Sequence, residues 1–456
     1  MNLTDRMRIG LVISELFVGG AEKNFVALAE GLRDLGHIVF VYSLDSRPEP
    51  GKDMLVCRLE NRRISVEFLG CPGRRIGMWA SISALKKALV GDRVEVIQSF
   101  LFRANLVATL AKPNSVPLAI GLRVADPRPW VKIIEKWCIR KSAATVCVSG
   151  QVANYYAVGI SQARSETQVG TGTPTRRGRI GLTIPNGVSL PSPLANSPGK
   201  ATDTPRQSAD WEGAEVSSAS DEVPSIQAIV PSKMDWNRWF ESKNAVPKII
   251  LYVGRLTPQK GLGRLIEMID DVLQKQSDAH LVLIGDGDQK DELVAHAAKC
   301  LNGGQIHFLG WQPNPQDFIQ ACDLLVLSSK WEGMPNVVLE AMASRKPFVS
   351  FHTHGLEDIF NAGKSLDHDC TRESAATAFS VTDDNLQTTE AQVAFHRQVV
   401  SETDRPAFVK QVLAFLASEK LSKRTGDWNH QWVKQHFCVA ELVRRYEQLF
   451  LELAGR

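Results

Sequence analysis

Two glutamates eight residues apart carry the densest chemical signal in the chain. Between Cys322 and Ala343, an apolar run (Leu324–Leu327) leads to Glu332, Gly333 and Pro335, and then to Glu340. The run predicts a buried strand. Pro335 predicts the start of a helix, where a missing N–H costs nothing. Ligands of open α/β sheets bind at such strand-to-helix turns. The first N–H groups of the helix are unpaired and partly positive, which suits the anionic part of a ligand. Two carboxylates so placed can accept hydrogen bonds from hydroxyls at separate points of one extended molecule. Taken alone, the pair reads better as a solvated loop acid and an ordinary helix acid.

Two cations five apart make a second cluster. Arg255 and Lys260 lie between Gly254 and Gly261, just after the run Ile249–Val253. Arg offers a bidentate fork and Lys a point charge, which together suit a diphosphate. The alternative is a helix-start loop with incidental surface cations. A third cluster is Gly19-Gly20-Ala21-Glu22, after the strand-like Ile9–Ser14. Its glycines let a ligand approach helix N–H groups. It is not the G-x-G-x-x-G of a dinucleotide site.

These clusters need a scaffold of strands and helices. Short β-branched runs alternate with helical patterns: Ile9–Ile13, Ile38–Tyr42, Val94–Ile97, Thr145–Val148 and Ile180–Ile184. After a gap come Ile249–Val253, Leu281–Ile284, Ile306–Leu309, Leu324–Leu327 and Phe348–Ser350. This βαβ alternation implies parallel sheets covered by helices. It occurs twice, so two Rossmann-like domains are expected, 1–188 and 248–427. Between them, 189–247 is rich in Pro, Ser, Ala and Asp, and buries too little apolar surface to offset its chain entropy. It reads as a linker or insert, with Trp236, Trp239 and Phe240 able to dock. A second weakly patterned region spans 364–404. The segment 428–456 reads as an amphipathic helix packing on the body.

Composition narrows the classes. The 456 residues exceed one ordinary domain, and 44% hydrophobic with 23% charged content fits a globular protein with a full core. No run is long and apolar enough to span a membrane. Residues 1–8 lack the apolar stretch of a secretory signal. The eight cysteines form no C-x-x-C pair, so free thiols in a reducing compartment are expected. The net charge of +3 hides an asymmetry: residues 1–190 hold 26 Lys and Arg against 15 Asp and Glu. A basic front half fits either an anionic partner or an ordinary solvated surface.

The string Glu332-x7-Glu340, with Gly333 and Pro335-Asn336 inside and Ala-Met-Ala after it, resembles the signature of family 4 of the retaining GT-B glycosyltransferases (glycosyl transferases group 1). The resemblance implies two Rossmann-like domains whose parallel sheets face a central cleft. It implies that Glu332 holds donor-sugar hydroxyls and that Glu340 grips the nucleotide ribose. Gly333, Met334, Pro335, Asn336 and Val337 would line the same pocket. Arg255 and Lys260 match the family's G-R-x4-K-G and would neutralise the donor diphosphate. Gly19 and Gly20 match the family's Gly-Gly-Ala-Glu, across the cleft from the phosphates. Gly310, before Trp311, falls where the family's backbone meets the nucleobase. Ile184–Val188 marks the exit from the first domain. Many relatives carry a histidine near the donor sugar. None stands in Val96–Phe100, and Arg123 lies roughly where others place it, able to meet phosphate or sugar.

The implied activity is retaining transfer from a UDP- or GDP-sugar to a glycan or polyprenyl-linked acceptor, in cell-surface polysaccharide or glycoconjugate synthesis. The alternative is an inactive GT-B protein that binds nucleotide or sugar. No metal cofactor is implied, because side chains supply the positive charge; Asp286-Gly-Asp288 reads as a turn. A cytoplasmic location is expected, with peripheral contact to an anionic membrane surface. An NAD-dependent oxidoreductase lacks its fingerprint here. Nucleic-acid binding lacks any accompanying motif.

Overall fold

The computed structural model describes residues 6–70, 75–159, 180–191, 236, 247–353, 355–362 and 390–456. The first domain holds strands β1 (Arg8–Ile13), β2 (Ile38–Ser43), β3 (Ser65–Phe68), β4 (Val96–Phe100), β5 (Leu118–Leu122), β6 (Ala144–Cys147) and β7 (Ile180–Thr183). They form one sheet in the order β3-β2-β1-β4-β5-β6-β7, parallel throughout. The second domain holds β8 (Lys248–Val253), β9 (Ala279–Ile284), β10 (Ile306–Phe308), β11 (Leu324–Leu327), β12 (Phe348–Phe351) and β13 (Val399–Val400). Their order is β10-β9-β8-β11-β12-β13, again parallel. The expected α/β architecture of two parallel-sheet domains is what the chain adopts.

Crossovers between parallel strands are right-handed, so the direction of each step along the sheet sets the face its helix covers. In the first domain, β1 to β2 and β2 to β3 step one way, through α1 (Gly20–Asp34) and α2 (Met54–Asn61). The steps from β3 through β6 run the other way, through α3 (Arg75–Gly91), α4 (Phe102–Ala111) and α5 (Pro129–Lys141). Hence α1 and α2 cover one face, and α3 to α5 pave the other. Helix α1 buries Phe25, Val26, Leu28, Ala29 and Leu32, the helical spacing of an inward stripe. In the second domain, α6 (Leu262–Leu273) does the same with Leu262, Leu265, Ile266, Ile269 and Val272.

Each sheet reverses direction once: between β1 and β4, and between β8 and β11. Such reversals open crevices at the carboxyl ends of the strands. The Gly19-Gly20 turn follows β1, the Arg255 to Lys260 loop follows β8, and the Glu332 loop follows β11. All three chemical clusters therefore sit at reversal points.

The C-terminal segment is two helices rather than one. They follow α7 (Asn336–Ala343) in the chain: α8 spans Glu419–His436 and α9 spans Val439–Ala454. Position 427/428, the expected boundary, lies inside α8. The break comes at Phe437–Cys438, where Val188 forms a parallel bridge with Cys438 and its N–H bonds Phe437 O at 2.8 Å. Helix α8 packs on α7 of the second domain, and α9 packs on α1 of the first. The chain thus crosses between domains twice. Trp236 is buried against Phe318, with its indole N–H bonding Ala321 O at 3.0 Å. Trp239, Phe240, the rest of the insert from 192 to 246, and 363–389 lie outside the described residues.

Candidate donor site in the cleft

The β8 loop is built to present Lys260. A short 3-10 turn, Pro258–Lys260, ends at Gly261, whose φ of +62° favours glycine. A side chain at Gly261 would also strike the Ser328 carbonyl at the end of β11. The Ser328 hydroxyl bonds Lys260 O at 2.8 Å, and Arg264 bonds Ser328 O at 2.7 Å. The β8 and β11 loops are tied again by Gln259, whose amide bonds Trp331 O at 2.8 Å, and by Lys330 N–H to Gln259 O at 2.8 Å. This lacing brings the Lys260 ammonium onto the Glu332 carboxylate as a mostly buried ion pair. Arg255, by contrast, is exposed. Its backbone is held by Tyr252, whose hydroxyl bonds Arg255 O at 3.0 Å.

The segment from Gly333 to Glu340 meets the first domain. Gly333 presses against the Arg123 carbonyl so closely that no side chain fits there. Met334 O accepts from the Asn186 amide at 3.3 Å, and the Asn186 N–H points to the Met334 sulfur at 3.4 Å. Pro335 caps α7, one residue earlier than a first helical position. Asn336 lies against Gly20, and its Oδ1 is buried with no hydrogen-bond partner. Val337 is half-buried beside it. One turn into α7, Glu340 Oε1 accepts from Lys23 Nζ at 2.7 Å, across the cleft.

The N-termini of α1 and α7 therefore face one another, Gly20 to Asn336. Gly19 is the N-cap of α1 and brings no capping side chain, and the Glu22 carboxyl of the same turn folds back over it onto its own backbone N–H. Glu22 of the same turn is buried. Burial pushes its carboxyl up to about 7, its own backbone hydrogen bond opposes that, Glu15 adds to it, and Arg255 pulls the other way. That Arg255 acts on both Glu22 and Glu15 places it electrostatically at the seam between domains.

The structure thus gathers Gly19, Gly20, Arg255, Lys260, Glu332, the stretch Gly333–Val337 and Glu340 around one cleft. Gly310 follows β10, two strands from β8, and is linked to this group through the β9 turn, where Gly285 packs on Gly254 beside Arg255. Its carbonyl accepts from Gly285 N–H at 2.8 Å, and its Cα borders open space. Asp286 and Asp288 belong to the neighbouring β9 turn, where Asp286 Oδ1 accepts from Gly287 N–H at 2.9 Å.

Arg123 lies at the junction of the domains. Its guanidinium is buried, stacked on the Phe100 ring with 4.0 Å to the centroid. It donates to Asn186 Oδ1 at 3.1 Å and to Tyr446 OH at 2.9 Å. These bonds make the side chain a structural tie between β5, the domain exit and α9, while its Nε is buried with no hydrogen-bond partner. Lys23 was missed. It directly follows Gly-Gly-Ala-Glu, and the face of α1 that carries it was the available signal.

Two family models match the chain: one described as Glycosyltransferase Family 4 over residues 18–167, and one as Glycosyl transferases group 1 over residues 234–379. The lipopolysaccharide core biosynthesis glycosyltransferase LpsE of Rhizobium meliloti is 29% identical over 174 residues, which is 38% of this chain and 50% of that protein. An Escherichia coli UDP-Gal:alpha-D-GlcNAc-diphosphoundecaprenol alpha-1,3-galactosyltransferase is 30% identical over 110 residues, 24% of this chain and 30% of that one. Across the most similar curated relatives, the matched stretch spans 25% to 60% of the relative's length. Among solved structures, Anabaena HepE in complex with UDP and glucose superposes with a TM-score of 0.65 at 15% identity, covering 98% of this chain and all of that one. That likeness shows the GT-B fold. The two models together cover about two thirds of the chain, and it belongs to the family 4, group 1 glycosyltransferases.

Proposed function

We propose that this chain is a retaining glycosyltransferase that moves a sugar from a UDP- or GDP-sugar to a glycan or polyprenyl-linked acceptor in cell-surface polysaccharide or glycoconjugate synthesis. One observation carries the reading: Lys260, Glu332 and Glu340 converge with exposed Arg255 at the reversal point of the second sheet, facing the N-terminus of α1. The relatives add support. HepE is described with UDP and glucose, and the E. coli relative acts on a diphosphoundecaprenol-linked sugar.

In this reading the donor diphosphate lies between Arg255, Lys260 and the opposed N-termini of α1 and α7. Lys260 exchanges Glu332 for phosphate oxygens, and the released carboxylate accepts hydrogen bonds from sugar hydroxyls. Glu340 exchanges Lys23 for the ribose hydroxyls. The anomeric bond to the diphosphate breaks, and the bond to the acceptor oxygen forms on the same face of the sugar. Fixed positive charge at the leaving group lowers that barrier without reorganising at the moment of reaction. Contact between the domains keeps water from the activated sugar. No metal is required, because the cations and N–H groups balance the diphosphate.

The test is turnover of UDP- and GDP-sugars with short lipid-linked acceptors, with the product's anomeric configuration read by NMR. Transfer with the donor's configuration retained is expected. Inversion, or binding of donor without transfer to any acceptor, contradicts the proposal.

A further inference from the structure

We infer that the helical layer α3–α4–α5 of the first domain is a docking face for an anionic lipid bilayer, set at the rim of the cleft. The three helices pack side by side, α3 on α4 and α4 on α5. Each runs back against its strands, so each begins at the cleft end of the sheet. Large apolar side chains stand in these opening turns. Trp79 of α3 is 70% exposed, and Trp130 and Ile133 of α5 are 51% and 66% exposed. Phe102, at the start of α4, touches Trp130 edge-on with ring centroids 5.5 Å apart. Such side chains cost solubility in water but suit the headgroup boundary of a bilayer, where an indole ring is wet at one end and dry at the other.

Charge says which bilayer. The three helices carry eight Lys or Arg against a single acid, Glu135. That acid is buried, and it accepts from Asn105 at 3.2 Å rather than facing out. Lys136, Arg140 and Lys141 are exposed along α5, behind the apolar stripe. Arg103 of α4 pairs with Asp45, and an apolar rim backed by the exposed Lys136, Arg140 and Lys141 is the pattern of a peripheral surface for anionic headgroups. By contrast, the opposite face, covered by α1, α2 and α9, pairs its surface charges: Arg58 with Glu30, Arg62 with Asp34, and Arg444 with Glu441. The basic excess of the front half of the chain thus has a location.

The inference does not rest on the transfer reading, because it is tested without donor or acceptor. The full-length protein is cosedimented with vesicles of phosphatidylcholine alone and of phosphatidylcholine with about one third phosphatidylglycerol. Binding to the anionic vesicles is expected, with little to the neutral ones and a marked loss at about 0.5 M salt. The variant Trp79→Ser/Trp130→Ser/Ile133→Ser and the variant Lys136→Glu/Arg140→Glu/Lys141→Glu should each lower partition by roughly tenfold or more. Their melting temperatures should stay close to wild type, since the replaced side chains are exposed; a variant that melts early is replaced by its single substitutions. Absence of binding to anionic vesicles overturns the inference. So does binding that neither set of substitutions changes. A wild-type dimer that the apolar variant dissociates, in protein that ignores vesicles, assigns the face to a second copy instead.

Discussion

Two lysine–glutamate pairs line the cleft, and they differ in what holds the lysine. Lys260 and Glu332 belong to adjacent loops of one domain, laced by Ser328, Gln259 and Arg264. Lys23 and Glu340 belong to different domains and meet only while α1 and α7 face each other. The first pair can rearrange without moving a domain. The second is a contact that domain opening breaks. The comparison teaches that one acid of the signature is governed by local geometry and the other by the state of the cleft.

The largest effect expected is on the local pair. Lys260→Ala removes the point charge meant for the diphosphate and leaves Glu332 unpaired. The kcat/KM for nucleotide-sugar should fall by about 10²–10³, as measured by release of nucleoside diphosphate. Glu332→Gln should spare nucleotide binding more than it spares turnover, since its role is at the sugar.

The interdomain pair should respond with the opposite sign. In Lys23→Met, Glu340 loses its competitor for the ribose. Affinity for a free nucleoside should rise, by about fivefold if the pair contributes about 1 kcal/mol. Small-angle scattering should show a more open apo protein. Unchanged nucleoside affinity would separate Glu340 from ribose binding.

Glu22, between the two pairs, sharpens the comparison through pH. Its carboxyl is raised from 4.5 to about 7, mainly by burial. The folded state therefore holds a proton that the unfolded state has lost between those values. The Glu22 contribution to stability is most favourable at low pH and falls as pH rises from about 4.5 through about 7. Glu22→Gln should thus stabilise the protein at pH 8, by on the order of 1–3 kcal/mol, and scarcely at pH 4.5. Denaturant titrations at the two pH values read this. Glu135, raised to about 8 by burial in the first domain, gives the same sign for Glu135→Gln. Bound nucleotide should alter the Glu22 effect and leave the Glu135 effect alone. The smallest effect expected is none: EDTA should leave turnover unchanged, because cations of the chain balance the diphosphate.

Much of the scaffold was legible because parallel strands buried on both faces read as unbroken apolar runs. Ile249–Val253 and Leu324–Leu327 are such runs. The edge strand β3, Ser65–Phe68, escaped notice because its burial alternates and only half of it packs inward. The start of β4 shifted from Val94 to Val96 because Arg93, with φ +49°, makes a turn just before it. The division of the C-terminal segment at Phe437 carries no Gly or Pro to announce it. Within the site, Glu332 and Glu340 were legible as one contiguous string, and Arg255 and Lys260 as another. Lys23 was not, because its partner lies 317 residues away. The setting of Arg123 was not legible for the same reason: Asn186 and Tyr446, which it bonds, are 63 and 323 residues distant. Spacing reveals groups that share a turn, whereas it says nothing of partners that only packing brings together.

The most direct test of the donor-site assignment is calorimetric titration of UDP, GDP and the corresponding nucleosides into wild type and Lys260→Ala, without metal. The assignment predicts that one nucleoside diphosphate binds wild type, that Lys260→Ala weakens it by roughly a hundredfold, and that the matching nucleoside binds both proteins alike. Equal affinity of the diphosphate for wild type and Lys260→Ala would contradict it.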